Sequence, residues 1–409
     1  MELVTLYRRV IGLDVHQAII VACAILESCD GTIVVERREF GCFKRDRKAL
    51  AEWARSLAPD LVVMESTGIY WKSPFAALEA VGITAWVVNA RHVKAVPGRK
   101  TDVGDAQWLA TLARAGLLRT SFIAKPELRS LRHIARQRQK LGGILASEKN
   151  RLHKLLSDTG IRLGVVVSDL HGQTARAMVK AIIAGNSVPE VLSLAGKRLR
   201  ASREELFDAL QGEELTPAHR FVLDEIMQHI EEIEARMTRF DAELLRLLLE
   251  AGYKEPLQLL QTLPGIDQMG AAMLLVEIGA DMTAFGSAER LASWVGICPG
   301  NNESAGKRKT GRMRKGNAWV RRLLCEFAQA ACRSRCAFKA KFQALKVRKG
   351  HKRSIMALAH KILRTIYAIL SKKKHYVDKT VDYEALLVAR NAPRWLDKLS
   401  RYGYLKTTT

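Results

Sequence analysis

The sequence predicts an α/β domain built on a mixed sheet, then a helical coiled-coil region, then a mainly α-helical C-terminal domain. Three observations carry this. Short β-rich runs alternate with segments of helical spacing over the first 115 or so residues. Apolar residues recur at heptad steps in two stretches between Leu131 and Leu247. From Lys307 to Lys374, about 22 Lys and Arg stand against a single acid, Glu326. The expected boundaries are 1–125, 126–255 and 256–409.

In chain order, "RVIGLDV" and "AIIVACAIL" are two β-rich runs, "CDGT" (29–32) supplies a turn, and "IVVERREF" (33–40) makes a third strand. "DRKALAEWARSLA" (46–58) has helical spacing, with Leu50, Trp53, Ala54 and Leu57 on one face. "LVVME" (61–65) reads as a buried strand, "PFAALEAVG" (74–82) as a short helix closed by Gly82, and "TAWVVN" (84–89) as a fifth strand. A helix beginning at Asp102 follows. Three hairpin-connected strands and then alternation predict a mixed sheet.

In the second region, Leu131, Ile134, Leu141, Leu145, Leu152 and Leu155 occupy heptad a/d positions, interrupted by Arg138 and Glu148. Leu223, Ile226, Ile230, Ile233, Met237, Phe240, Leu244 and Leu247 step by three and four without a miss. Thr216 and Pro217 give that helix a cap and a first residue. An antiparallel helical pair and an intermolecular coiled coil both fit this pattern. Residues 160–215 hold helical pieces that periodicity does not place.

The third region opens near Pro256. "LLQTLPGIDQMGAAMLLVEIG" (259–279) has the form of a helix-hairpin-helix, whose Pro-Gly turn at Gly265 lets backbone amides approach a DNA phosphate. Leu-Pro-Gly also closes ordinary helical hairpins. "CPGNNESAGKRKTGRMRKGNAWVRRLL" (298–324) is a basic, Gly- and Asn-rich loop running into a helix. Lys307, Arg308, Lys309, Arg312, Arg314, Lys315, Arg321 and Arg322 are its candidate phosphate contacts. A solvated surface helix normally mixes signs.

A net charge of +24 favours a nucleic-acid partner, DNA or RNA, over a membrane surface, because the positive charge is not confined to one amphipathic segment. No apolar run approaches a membrane span and no cleavable signal pattern is present, so no membrane partner is expected. Seven cysteines without zinc-type spacing read as reduced core thiols of a cytoplasmic protein.

Against that basic background four acids stand out. Asp14 interrupts the apolar strand "VIGLDVH", where a buried carboxylate needs a partner. Glu65 ends "LVVME", at the carboxyl edge where sites in open α/β sheets gather. Asp102 and Asp105 share a helical face by their i, i+3 spacing. Helix capping is the ordinary role for Asp102. An acid on strand one, an acid ending strand four and an acid pair on the last helix have the layout of a ribonuclease H/RuvC-like nuclease domain. In that fold strands one and four are neighbours, so Asp14 and Glu65 would face each other across the site; carboxylates held so close cannot all stay ionised without a cation, and hard oxygen ligands select Mg2+ or Mn2+. Two such ions bind both the attacking and the leaving oxygen of a phosphodiester.

"IGLDVH", "VVMESTGIYW", "RKTDVGDAQWLA", "LPGI" and "WVGICPGNNESAGKRKTGRMRKGNAWVRRLL", in that order, resemble the transposases of the IS110/IS1111 family. The resemblance covers residues 10–120 and 256–370. It implies a RuvC-like domain whose DEDD tetrad is Asp14, Glu65, Asp102 and Asp105, acting catalytically as metal ligands. It also implies a catalytic serine in the C-terminal domain, at Ser304. The family loop more often reads Ser-Gly where this chain has Ser304-Ala305-Gly306. Ser304 is the only serine between Trp294 and Arg333, with Lys307, Arg308 and Lys309 beside it; Thr310 is the nearest rival hydroxyl. No His or Cys is placed by sequence as its base.

The resemblance implies serine attack on a DNA phosphodiester, a covalent phosphoserine–DNA intermediate and strand exchange without ATP. It further implies a composite site assembled by domain packing, a non-coding guide RNA, a homo-oligomer (dimer or tetramer) and a nucleoid-associated bacterial protein. Two competing readings need less. A metal-dependent nuclease or Holliday-junction resolvase needs only the carboxylates. A non-catalytic nucleic-acid-binding protein would tolerate loss of any of them.

Overall fold

The computed structural model describes residues 5–66, 68–90, 93, 104–196, 199–212, 214–298, 302–304, 307–310, 316–378 and 383–404. It divides into two units, Met1–Ile123 and Ala124–Thr409.

In the first unit, β1 (Arg9–Val15), β2 (Ile19–Glu27), β3 (Ile33–Gly41), β4 (Leu61–Glu65) and β5 (Ala85–Val88) form one sheet. Its order is β3-β2-β1-β4-β5, antiparallel from β1 to β3 and parallel from β1 through β4 to β5. The expected mixed sheet is present, because β1 is long and apolar enough to be paired on both sides. β3 carries Glu36, Arg37, Arg38 and Glu39 along the sheet edge, and such charges discourage pairing with another chain.

Strand alternation divides the core between the two faces. Ile11, Leu13, Val62 and Met64 meet Leu50, Trp53, Ala54 and Leu78 of α1 (Lys44–Ser56) and α2 (Lys72–Ala80). Val10, Leu61, Val63 and Val88 meet Leu109, Ala110, Leu112 and Ala113 of α3 (Asp105–Arg114) on the opposite face. α3 lies so close to β1 that a Cβ on Gly12 would stand 1.9 Å from the Ala106 carbonyl oxygen. The described helix opens at Asp105, not Asp102: Gly104 is its N-cap, with an extended backbone (φ −52°, ψ 147°) that ends helical geometry there. Asp102 lies outside the described residues.

In the second unit, α4 (Pro126–Asp158) and α9 (Pro217–Glu250) pack antiparallel within one chain. Arg138 holds Asp241 through two hydrogen bonds of 2.7 and 3.1 Å, and Lys149 lies 2.9 Å from Glu234. The apparent heptad interruptions thus face polar partners: Arg138 meets Asp241, and Glu148 meets Arg151 and His229. α5 (Leu163–Val166), α6 (Gln173–Ala184), α7 (Val188–Ser193) and α8 (Arg203–Leu210) share an apolar core with this pair, built on Leu152, Leu156, Met178, Leu223 and Ile230.

The rest of the unit is mainly helical: α10 (Lys254–Gln261), α11 (Gln268–Ile278), α12 (Ala288–Val295), α13 (Ala318–Ala331), α14 (Ala337–Lys372) and α15 (Tyr383–Arg401). A short antiparallel ribbon, β6 (Asn302–Ser304) with β7 (Lys307–Thr310), precedes α13. α14 is kinked at Gly350, whose φ of 71° is not helical. α11 is buried from Gly270 to Ile278, as a helix apolar on all sides must be. No helix among the described residues is long and apolar enough to cross a membrane. The cysteines are free thiols, but they are not all in the core: Cys23 is buried, whereas Cys29 is exposed in the turn after β2.

Candidate carboxylate site and serine loop

The acids of the first unit are placed by register. β1 and β4 run parallel with Leu13 opposite Met64, so Asp14 and Glu65 are the next residues on two neighbouring strands. By alternation Asp14 shares a face with Val10 and Gly12, and Glu65 with Leu61 and Val63, which is the face covered by α3. α3 runs antiparallel to β1: its last residue, Arg114, accepts from the Leu6 and Tyr7 amides, while Ala106 lies over Gly12. The N-terminus of α3, with Asp105 as its first residue, therefore sits at the carboxyl end of β1. Three acids thus reach one edge and one face of the sheet. Asp105 also complements the partial positive charge of the helix start.

Asp14 is not the buried carboxylate that an apolar strand interior implies. It lies one residue from the end of β1, its side chain is 28% exposed, and its Oδ2 lies 3.1 Å from His16 Nε2. Among the described residues, no three His, Cys, Asp or Glu side chains stand close enough together to hold a metal ion. Asp102, the fourth acid of the expected tetrad, lies outside the described residues.

One cation on this face is not apparent from the sequence alone. β2–β3 register places Arg37 opposite Cys23 and Glu39 opposite Val21, in line with Gly12 and Asp14 on β1. Arg37 donates to Gln107 on α3. A cavity of about 350 Å3 opens between them, lined by Val21, Cys23, Arg37, Glu39, Gly104 and Gln107. Burial pushes the Cys23 thiol up, and the neighbouring Arg37 opposes that shift. The signal for Arg37 was the alternation within "IVVERREF", which has no meaning until the pairing with β2 is known.

In the second unit, Ser304 is the last residue of β6 and stands opposite Lys307 in the ribbon register. Arg308 is opposite Glu303, and Lys309 also lies on β7. Arg312, Arg314 and Lys315 lie outside the described residues. Arg321 and Arg322 are on the first turns of α13, where Arg322 forms an i, i+4 ion pair of 3.0 Å with Glu326. Gly265 (φ 90°) turns the chain between α10 and α11. A Cβ there would meet the Phe327 carbonyl oxygen at 2.6 Å, so this turn is seated on α13.

The ends of the serine loop are tightly held. α12 closes at Gly296, and a Cβ on Gly316 would stand 2.4 Å from the Val295 carbonyl group. The Asn317 amide donates to Trp294 O at 3.3 Å. The Asn317 side chain caps α13, accepting from the Trp319 and Val320 amides at 3.0 and 3.1 Å, and its Nδ2 donates to Glu277 Oε2 at 2.8 Å. Neither Asn317 nor Glu277 was singled out from sequence. The available signal was one acid inside the otherwise apolar run "AAMLLVEIG".

The chain is similar in sequence to known transposases. An IS110-type DEDD transposase model, described as transposase, matches residues 11–161. A model described as transposase of the IS116/IS110/IS902 family matches residues 257–343, and the two together span more than half of the chain. A probable family 20 transposase of Pseudomonas aeruginosa is 27% identical over 84% of this chain and 94% of its own length. The transposase for insertion sequence element IS1111A of Coxiella burnetii is 23% identical over 90% of this chain and 91% of its own. An uncharacterized protein of insertion element IS110 from Streptomyces coelicolor is 26% identical over 68% and 73%. The chain belongs to the IS110/IS1111 family of transposases, enzymes that cut and rejoin DNA.

Proposed function

We propose that this transposase breaks and rejoins DNA through a serine nucleophile, Ser304, aided by a carboxylate metal site formed by Asp14, Glu65, Asp102 and Asp105 in a RuvC-like domain. The observation that carries the reading is the register that brings Asp14, Glu65 and the start of α3 to one edge and one face of a β3-β2-β1-β4-β5 sheet. The donors are carboxylate oxygens throughout, a set that suits Mg2+ or Mn2+. When bound, such an ion stabilises negative charge developing on phosphodiester oxygens.

The protein's own steps follow from its residues. Lys307, Arg308, Lys309, Arg312, Arg314, Lys315, Arg321 and Arg322 hold the DNA backbone by charge, and the Gly265 turn adds backbone amides in the manner of a helix-hairpin-helix. Ser304 Oγ loses its proton and forms an ester with phosphorus, one P–O bond of the DNA breaks, and the departing oxygen takes up a proton. A hydroxyl of the recipient strand then attacks the phosphoserine, releasing Ser304 and restoring a phosphodiester. One ester replaces another at each step, so no ATP is consumed. A guide RNA from the element and a homo-oligomer (dimer or tetramer) belong to the same reading; the charge of +24 suits RNA as well as DNA.

The test is cleavage and strand exchange on DNA carrying the element's own ends. Asp14→Asn, Glu65→Gln and Asp105→Asn abolish both while DNA binding persists. Full activity in any of the three would overturn the assignment of that acid.

A further inference from the structure

We propose that Glu277 is a positioning residue for the serine loop: through Asn317 it fixes the point where that loop returns to the body of the second unit. The proposal rests on Ser304 as the nucleophile.

Glu277 lies on α11 and is 2% exposed. A carboxylate so buried must be paired and hydrogen-bonded. Arg136 of α4 meets it with two hydrogen bonds, Nε to Oε1 at 2.7 Å and Nη2 to Oε2 at 3.0 Å. Arg132, one turn earlier, donates to the Val276 and Glu277 carbonyl oxygens at 3.2 and 2.7 Å. Asn317 Nδ2 supplies a third side-chain donor to the carboxylate. Two arginines from one helix therefore hold an acid on another, and that acid holds the first residue after the loop. The Arg136 guanidinium also lies 5.6 Å from the centre of the Trp319 ring, over its face, which ties the same arginine to the start of α13.

The choice of asparagine is informative. Capping alone would be served as well by Ser or Asp. Asn317 uses its oxygen for the cap and its nitrogen for Glu277; Asp has no donor, and Ser or Thr would have to serve both partners from one hydroxyl held closer to the backbone. Beside it, Gly316 allows the returning strand to lie against Val295 and Gly296, where the loop began. The loop thus has a closed neck, and the ribbon that sets Ser304 opposite Lys307 lies in sequence between its two ends. A nucleophile on such a ribbon takes its position from that neck, and displacement of about 1 Å costs roughly 100-fold in rate.

The test compares the full-length wild type with Asn317→Ser, which keeps a cap acceptor but whose hydroxyl, one bond shorter than the Asn amide nitrogen, does not span the gap to Glu277. Three quantities are read: hydrogen–deuterium exchange of the 297–316 segment, the rate of covalent attachment to DNA carrying the element's ends, and affinity for that DNA. In Asn317→Ser we expect faster exchange confined to this segment, attachment slowed by roughly 10- to 100-fold, and affinity within about twofold of wild type. Wild-type exchange and rate in Asn317→Ser would overturn the proposal, as would a rate that falls only in step with affinity or thermal stability. If the wild type forms no attachment at all, the serine reading fails by itself, and unchanged exchange in Asn317→Ser would still overturn the role of Glu277.

Discussion

Gly12 of β1 lies directly beneath Ala106 of α3, so close that a side chain at Gly12 would stand 1.9 Å from the Ala106 carbonyl oxygen and 2.8 Å from the Ala110 amide nitrogen. This contact sets how near α3 can come to the sheet, and so where Asp105 stands relative to Asp14. Both obstacles are backbone, which has no rotamer with which to give way. We expect Gly12→Ala to cost about 1–3 kcal/mol of stability as an overpacking change. It should reduce cleavage by more than the lost folded fraction explains. Denaturant unfolding and DNA cleavage, both measured where the variant is still folded, check this.

A second prediction concerns pH. Arg176 holds Glu234 with hydrogen bonds of 2.7 and 2.9 Å and Lys149 approaches to 2.9 Å, and together they bring the Glu234 carboxyl down to about 2. An unperturbed glutamate titrates near ~4.3. The folded value is the depressed one, so the stabilisation is complete above the unfolded value and is lost as pH falls through the folded one. The wild type should therefore melt above Glu234→Gln at pH 7, with the gap narrowing between about pH 4 and pH 2. A gap that widens on acidification would contradict it.

A third concerns the metal. Removal of divalent ions with EDTA should stop strand cleavage and leave DNA binding, which depends on Lys and Arg, in place. Mg2+ or Mn2+ should restore cleavage to the wild type and not to Glu65→Gln. Undiminished cleavage in EDTA would remove the carboxylate site from the reaction.

The five strands and the helices α1 and α2 could be read from sequence because apolar period and turn residues agree there. Asp14 and Glu65 could be read as neighbours only through the RuvC-like layout, in which the first and fourth strands are adjacent; their place at the ends of β1 and β4 comes from the strand pairing. Other features depended on pairing that no period reveals. The start of α3 moved from Asp102 to Asp105 because Gly104 takes an extended backbone. Heptads at Leu131–Leu155 and Leu223–Leu247 fit two partners equally well, and only the Arg138–Asp241 and Lys149–Glu234 contacts identify an antiparallel pair within one chain. Arg37 joins the face of the acids only through its register with Cys23. Glu277 looks like a blemish in an apolar helix until Arg136 and Asn317 are seen around it.

In the proposed reaction Ser304 becomes covalently joined to DNA. The most direct measurement traps wild type, Ser304→Ala and Thr310→Ala with denaturant during reaction on DNA carrying the element's ends and its flanking non-coding sequence, then looks for protein carrying a DNA strand. A DNA-linked band is expected in the wild type and in Thr310→Ala and absent in Ser304→Ala. Mg2+-dependent cleavage that persists in Ser304→Ala, with no linked band in any of the three, would contradict that reaction and leave the carboxylates to act alone.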